Sequence, residues 1–264
     1  MAVIGIMDSG SGGLSVFREI YKALPEERFI YYADNAHCPY GDKSPEFIIG
    51  RCRQITEMFL SKGADIVVLA CNTATAAAIA TLRAEYDIPF IGMEPAVKPA
   101  ALGTKSGTIG VLATAGTLKA SKYLNTRGHY ESDVHIVEHV GEGFVELVEN
   151  GDLEGEHAEE VVRTSLMPLL EAGADIIVLG CTHYPFLMPL MQKIAGEGIR
   201  FIDPAPAVTR QLMKVMEERH IPARNPDSGI ELLSSGPSDS LCRIASEAFG
   251  RPVNDIGNIS QNNV

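Results

Sequence analysis

Short runs of β-branched and aliphatic residues alternate along this chain with longer stretches whose apolar residues recur at helical spacing. The runs predict strands at Val3–Met7, Arg28–Tyr32, Asp65–Cys71, Pro89–Gly92, Thr108–Leu112, Val134–Val137, Asp175–Cys181, Arg200–Ile202 and Ile230–Leu233. The stretches between them predict helices such as Leu14–Leu24, Pro45–Lys62, Ala74–Glu85, Glu156–Ala172, Phe186–Ala195 and Pro206–Arg219. A strand that is apolar on both faces must be covered on both faces. A helix between two such strands carries the chain back for parallel pairing. The pattern therefore predicts an α/β fold with mostly parallel sheets.

The chain also resembles itself. Gly63-Ala64-Asp65-Ile66-Val67-Val68-Leu69-Ala70-Cys71 and Gly173-Ala174-Asp175-Ile176-Ile177-Val178-Leu179-Gly180-Cys181 agree at seven of nine positions. A weaker echo lays Ile4-Gly5-Ile6-Met7-Asp8-Ser9 over Ile109-Gly110-Val111-Leu112-Ala113-Thr114. Helix-to-strand turns and apolar strands look alike in many proteins, but both copies here end in cysteine. Two pseudo-symmetric α/β units are expected, residues 1–95 with a returning segment 205–264, and residues 96–204, with an active site in the cleft where they close. The Asn-rich tail after Arg251 is expected to be loosely held.

Composition narrows the function classes. The 264 residues are 45% hydrophobic and 21% charged, which excludes a disordered tail protein, a collagen-like fibre and a small stapled scaffold. Net charge is −12 with no Lys/Arg-rich run, so no nucleic-acid partner is expected. Ile66–Leu82, the most apolar stretch, is interrupted by Asn72, Thr73, Thr75 and Thr81, so no membrane span is expected. Five cysteines without a C-x-x-C pair argue against a disulfide framework and a thiolate zinc site. With no basic N-terminal region before Asp8, a cytoplasmic protein is expected.

In open parallel sheets, ligands sit beyond the carboxyl ends of the strands. Polar groups collect at four such ends: Asp8-Ser9-Gly10-Ser11-Gly12-Gly13, Asp34 to Gly41, Cys71-Asn72-Thr73-Ala74-Thr75 and Cys181-Thr182-His183-Tyr184-Pro185. The glycine-rich turn is neither a Walker loop, since Ser11 stands where lysine is required, nor a G-x-G-x-x-G fingerprint. Asp8 would repel a phosphate and suits a substrate ammonium, unless the segment is merely a tight turn with an Asp or Ser cap. In Pro39-Tyr40-Gly41, a backbone amide and the ring offer a clamp for a small ligand, or simply a turn.

A cysteine ending an apolar strand is usually a small buried hydrophobe. Two at matching places of two repeats suit a reaction that removes a proton from one face of a carbon and delivers one to the other. A thiol of ordinary pKa about 8.5 needs activation for that role, and Asp8 and His183 are the neighbours available. His183, two residues beyond Cys181, would lie on the same side in an extended segment. A Cys–His hydrolase would use the same pair but leave Cys71 idle. His135 and His139 are spaced like metal ligands, yet no acidic third ligand is evident, so no metal site is assigned.

Together, Asp8-Ser9 with its glycines, Pro39-Tyr40-Gly41, Cys71-Asn72-Thr73 and Gly180-Cys181-Thr182-His183-Tyr184-Pro185 resemble the cofactor-independent glutamate racemases, in order and in spacing, from residue 4 to about residue 245. The resemblance implies interconversion of L- and D-glutamate by two thiols without pyridoxal phosphate, supplying D-glutamate for peptidoglycan. It implies that Cys71 takes the α-proton of D-glutamate and Cys181 that of L-glutamate, assisted by Asp8 and His183. Ser9, Pro39, Tyr40, Gly41, Asn72, Thr73, Thr182 and His183 match substrate-contacting positions, and Thr114 and Thr117 a further contact loop. The chain departs from the family in Gly141–Glu149, where two customary prolines are missing. There Glu149 is matched to a third supporting carboxylate, with Glu146 its near competitor.

No cofactor is expected, and a homodimer is implied by the resemblance. A relative acting on aspartate or a hydantoin, or a non-catalytic regulatory protein on the same scaffold, are the alternatives. Thr-His-Tyr-Pro and the intact pair of cysteines weigh against both.

Overall fold

The computed structural model describes residues 2–221, 229–250, 253, 257 and 258. The chain forms two units, Met1–Met93 with Ala205–Val264, and Glu94–Pro204. The first begins with β1 (Val3–Asp8), α1 (Leu14–Ala23), β2 (Arg28–Ala33), α2 (Pro45–Ser61), β3 (Ile66–Leu69), α3 (Asn72–Glu85) and β4 (Phe90–Ile91). The second holds α4 (Val97–Gly103), β5 (Thr108–Ala113), α5 (Ala115–Lys119), α6 (Ser121–Gly128), β6 (His135–Val140), α7 (Phe144–Asn150), α8 (Glu156–Glu171), β7 (Ile176–Gly180), α9 (Met188–Ala195) and β8 (Arg200–Ile202). The chain then returns to the first unit as α10 (Ala205–Glu218), β9 (Gly229–Ser234), α11 (Asp239–Phe249) and the short β10 (Gly257–Asn258).

Each unit carries one sheet, ordered β10-β9-β2-β1-β3-β4 in the first and β6-β5-β7-β8 in the second. All the pairings are parallel, as strands apolar on both faces require. The order β2-β1-β3-β4 recurs as β6-β5-β7-β8, so each unit is built around the same four-strand core. The fold is α/β. Among the described residues, no helix is long and apolar enough to cross a membrane.

The sequence repeat has a common structural cause. Gly63 and Gly173 take positive φ (+81° and +85°) just past α2 and α8, a conformation glycine adopts without steric cost. The next amides, of Ala64 and Ala174, then donate back to the carbonyls of Phe59 and Leu169. Those same two side chains lie over a glycine of the central strand. An added Cβ on Gly5 would come within 2.8 Å of the Phe59 ring, and one on Gly110 within 3.1 Å of Leu169 Cδ1. Glycine at the echo position thus lets each helix approach its sheet.

The repeated aspartates staple this junction. Asp65 Oδ2 accepts from the Val3 amide (2.9 Å). Asp175 accepts from Thr104 Oγ1 (2.5 Å) and from the amides of Lys105 (2.6 Å) and Ser106 (3.1 Å). What burial the Asp175 carboxyl has pushes its pKa up, but these donors outweigh that and bring it down to about 2. A carboxyl held low adds stability above its unfolded value near pH 4, and loses it as pH falls through the folded value. Asp175→Asn is therefore expected to cost about 1 kcal/mol near neutral pH, once water's access is allowed for. Urea unfolding should show that gap closing as pH falls from about 4 towards about 2.

Some predicted elements are redrawn. The strand predicted at Val134–Val137 runs instead over His135–Val140, because the Val134 amide still donates to Tyr130 in the preceding turn. β6 is an edge strand, and its half-exposed Glu138 and His139 broke the apolar run. The helix predicted from Phe186 starts at Met188, after a 3-10 turn at Tyr184–Leu187. The helices α4, α5, α6, α7 and α11 were not predicted, the first four being eight residues or shorter. Of the tail after Arg251, only Val253, Gly257 and Asn258 lie among the described residues.

Candidate active site

In both sheets the strand order doubles back beside the first strand of the unit, at β1/β3 and at β5/β7. That is where open parallel sheets bind ligands beyond their carboxyl ends. The predicted site residues fall there, and each unit presents its own set.

In the first unit, Asp8 ends β1 and is fully buried. Its Oδ2 accepts from the Gly10 amide (3.0 Å), and the Gly10 carbonyl accepts from the Tyr31 hydroxyl (3.0 Å). An added Cβ on Gly13 would stand 2.6 Å from Asp8 Cβ and 2.8 Å from Tyr31 Oη, so this glycine provides close approach to the carboxylate. Gly13 is the N-cap of α1, with no side-chain capping bond. The N-cap position is thus a glycine and not the Asp or Ser considered from the sequence.

Beyond β3 the chain turns into α3, with Cys71 as its N-cap. The Cys71 sulfur accepts from the Ala74 amide (3.4 Å), and its S–H donates to Ser9 Oγ at 3.7 Å. A sulfur at a helix N-terminus sits where backbone N–H groups favour negative charge. Asn72 and Thr73 follow in the first turn, both buried. Asn72 is only 3% exposed, yet neither its Oδ1 nor its Nδ2 has a hydrogen-bond partner among the described residues. A buried amide left unpaired is costly, and this one lies next to the thiol.

The Pro39-Tyr40-Gly41 segment leads into a 3-10 turn at Tyr40–Asp42 after β2. The Tyr40 ring is 1% exposed, packs in the core and donates through its hydroxyl to Asp34 Oδ2 (2.5 Å). The backbone of this turn remains available to meet a ligand.

In the second unit, Thr114 follows β5 and caps α5, accepting from the Thr117 amide (3.3 Å), while its hydroxyl donates to Thr117 Oγ1 (3.0 Å). Beyond β7, the segment Cys181-Thr182-His183 is turned, not extended as expected, because the Tyr184 amide donates to the Cys181 carbonyl (3.2 Å). The turn still brings His183 Nδ1 to 3.8 Å from Cys181 Sγ. On the other side of the ring, Nε2 lies 2.7 Å from Glu149 Oε1. Burial pushes the His183 pKa down. The Cys181 and Glu149 contacts outweigh it and raise the pKa well above the usual histidine value, which favours the charged imidazole.

The segment lacking the prolines forms α7, and Glu149 stands in its last turn. Glu146, one turn earlier, is exposed. Tyr184 braces this arrangement. Its fully buried ring meets Phe144 of α7 edge-on at 5.0 Å, and its hydroxyl reaches the Gly141 carbonyl at 3.4 Å. An added Cβ on Gly141 would stand 2.5 Å from that hydroxyl.

Sequence reasoning missed Arg51. It is buried on α2 and grips Asp34 through Nε (3.0 Å) and Nη2 (2.9 Å). The available signal was its place on the same helix face as Ile48, Cys52 and Ile55, all buried. Chemically, each unit offers a buried thiol with a polar group in reach, which suits proton transfer.

Residues 4–212 match the family model described as Asp/Glu/hydantoin racemase. The chain is 46% identical over 250 residues to a glutamate racemase of Stutzerimonas stutzeri (strain A1501), covering 94% of each chain. Among solved structures it is similar to glutamate racemase isoform RacE1 from Bacillus anthracis, with a TM-score of 0.85 and 32% identity over 98% of this chain and 97% of that one. It is equally similar in fold to the Escherichia coli glutamate racemase solved with L-glutamate and the activator UDP-MurNAc-ala. There the TM-score is 0.85 and the identity 30%, over 98% of both chains.

Proposed function

The chain belongs to the Asp/Glu/hydantoin racemase family, and on that premise we propose that it interconverts L- and D-glutamate by proton transfer between two cysteines and the substrate α-carbon. The observation that carries this reading is the recurrence of a cysteine at the same topological point of both units, each with its own polar partner. Cys71 has Ser9 beside it, and Cys181 has the His183–Glu149 pair. A Cys–His hydrolase would need only the second set.

In this reading the Cys71 thiolate takes the α-proton of D-glutamate, and the Cys181 thiol returns a proton to the carbanion to give L-glutamate. The reverse reaction starts at Cys181. One C–H bond breaks and one forms, so each turnover leaves the proton count of the pair unchanged. Asp8 and His183 assist their thiols by sharing protons, with Glu149 holding His183. Without an electron sink, the carbanion must be stabilised by fixed donors around the substrate carboxylate. Asn72, Thr73, Thr182 and Ser9 are assigned that work, with Thr114, Thr117, His183 and the backbone of Pro39-Tyr40-Gly41 holding the rest of the substrate. The two unpaired amide atoms of Asn72 support its part, since a bound carboxylate and ammonium would satisfy both. The first unit is taken as the Cys71 domain and the second as the Cys181 domain. The enzyme is proposed to work in the cytoplasm as a homodimer and to supply D-glutamate for peptidoglycan.

Incubating the protein with L-glutamate in D2O, without added pyridoxal phosphate, tests the substrate and the reaction together. Optical rotation is expected to decay to zero with deuterium entering at Cα. L-aspartate and a hydantoin, run in parallel, are expected to be inert. Unchanged rotation of glutamate would overturn the reading.

A further inference from the structure

The Asp34–Arg51 pair lies outside the residues that the family resemblance assigns to substrate or protons, yet it is among the most heavily bonded groups of the first unit. Asp34 is fully buried at the end of β2, and its amide donates to the Asp8 carbonyl (3.0 Å). Its carboxylate accepts from Arg51 Nε and Nη2, from the Tyr40 hydroxyl, and from His37 Nδ1 at 3.0 Å. Arg51 is itself held by Gln54, whose Oε1 accepts from Nη1 (2.6 Å). Burial would push the Asp34 carboxyl up, but these donors hold it below the usual carboxylate range.

Resting on the racemase reading, we propose that Asp34 and Arg51 are positioning residues that set the Pro39-Tyr40-Gly41 turn through the Tyr40 hydroxyl. Tyr40 is the one residue of that turn with its side chain in the core, in the cluster that also contains Met7, Cys52 and Cys71. Its ring is anchored at one end by the carboxylate, and at the other by the backbone that meets the substrate. A fixed anchor fixes the amides. Arginine is suited to this because its planar fork clamps both oxygens of Asp34 and leaves Oδ2 oriented towards Tyr40. Gly236 closes the far side. An added Cβ there would stand 2.8 Å from the Ala36 amide nitrogen, and that amide donates to Ser235 Oγ (3.1 Å).

A group that holds a non-reacting part of the substrate acts equally in ground and transition states, so its loss appears in KM more than in kcat. The decisive variant is Tyr40→Phe, which keeps the ring and removes only the hydroxyl link. KM for both enantiomers of glutamate is expected to rise about tenfold, as for one lost bond to a charged group, with kcat changing by a smaller factor. Arg51→Lys, which keeps the charge but not the fork, should fall between Tyr40→Phe and the parent. Melting temperatures measured alongside separate positioning from mere support. A Tyr40→Phe protein that melts lower but keeps the parent KM would overturn the proposal, as would unchanged kinetics in both variants. If the parent itself leaves glutamate unracemised, the underlying functional reading fails, which is a different result.

Discussion

Replacing Cys71 by serine is expected to slow racemisation of glutamate in both directions by more than about a thousandfold, within the range general acid–base groups supply. Serine at an N-cap preserves the helix start, since its hydroxyl accepts the Ala74 amide as the sulfur does now. The volume change is small and the site is buried, so the fold should persist and the loss can be assigned to the proton. A serine hydroxyl neither ionises near neutral pH nor gives up its proton to a carbanion as readily as a thiol. Cys181→Ser should lose as much. Because the two enantiomers are equally stable, kcat/KM must fall by the same factor whichever one is supplied. Polarimetry with either enantiomer and Cα deuterium exchange check this. Racemisation that survived Cys71→Ser at near the parent rate would leave one thiol doing all the chemistry, and the two-cysteine mechanism would be wrong.

Most of the fold was legible because its strands are apolar on both faces and their helices long. Asp65–Cys71 and Asp175–Cys181 stood out for the same reason that they now sit beside the first strand of each sheet. The strand bounds drew in to Ile66–Leu69 and Ile176–Gly180 because the terminal cysteines leave the ladder to begin the next turn or helix. The site was legible where polar residues interrupt an apolar run at a strand end, as at Asp8, Cys71 and Cys181. It was not legible where direction decides. Nothing in Pro39-Tyr40-Gly41 tells whether the ring faces a ligand or the core, and the partner that draws it inward, Asp34, is bonded to an arginine 17 residues further along the chain. Arg51 reads as an ordinary surface residue until its neighbours Ile48 and Cys52 are seen to be buried. Glu149 and Glu146 carry the same side chain, and only the pitch of α7 turns one towards His183.

That choice between the two glutamates carries the other large effect. With Glu149→Gln, the side chain keeps its shape and an oxygen that accepts from His183 Nε2, but the negative charge is gone. Burial still acts against the His183 cation while one of its two supports is gone, so the imidazole pKa is expected to fall from its raised value. The cation that serves Cys181 is then less favoured near neutral pH, and kcat/KM is expected to drop about a hundredfold. The remaining activity should move to lower pH, where the ring is protonated again. The folding energetics give an independent reading. A histidine whose pKa is raised by folding adds stability that is complete below its unfolded value near 6.5, and that is lost as pH rises through the folded value. The parent's melting temperature should therefore decline relative to the variant's as pH rises above about 6.5. Glu146→Gln, on an exposed side chain of the same helix, should change neither profile. A Glu149→Gln protein whose kcat/KM follows the parent's pH profile would show that His183 draws its proton from some other partner, and would remove Glu149 from the mechanism.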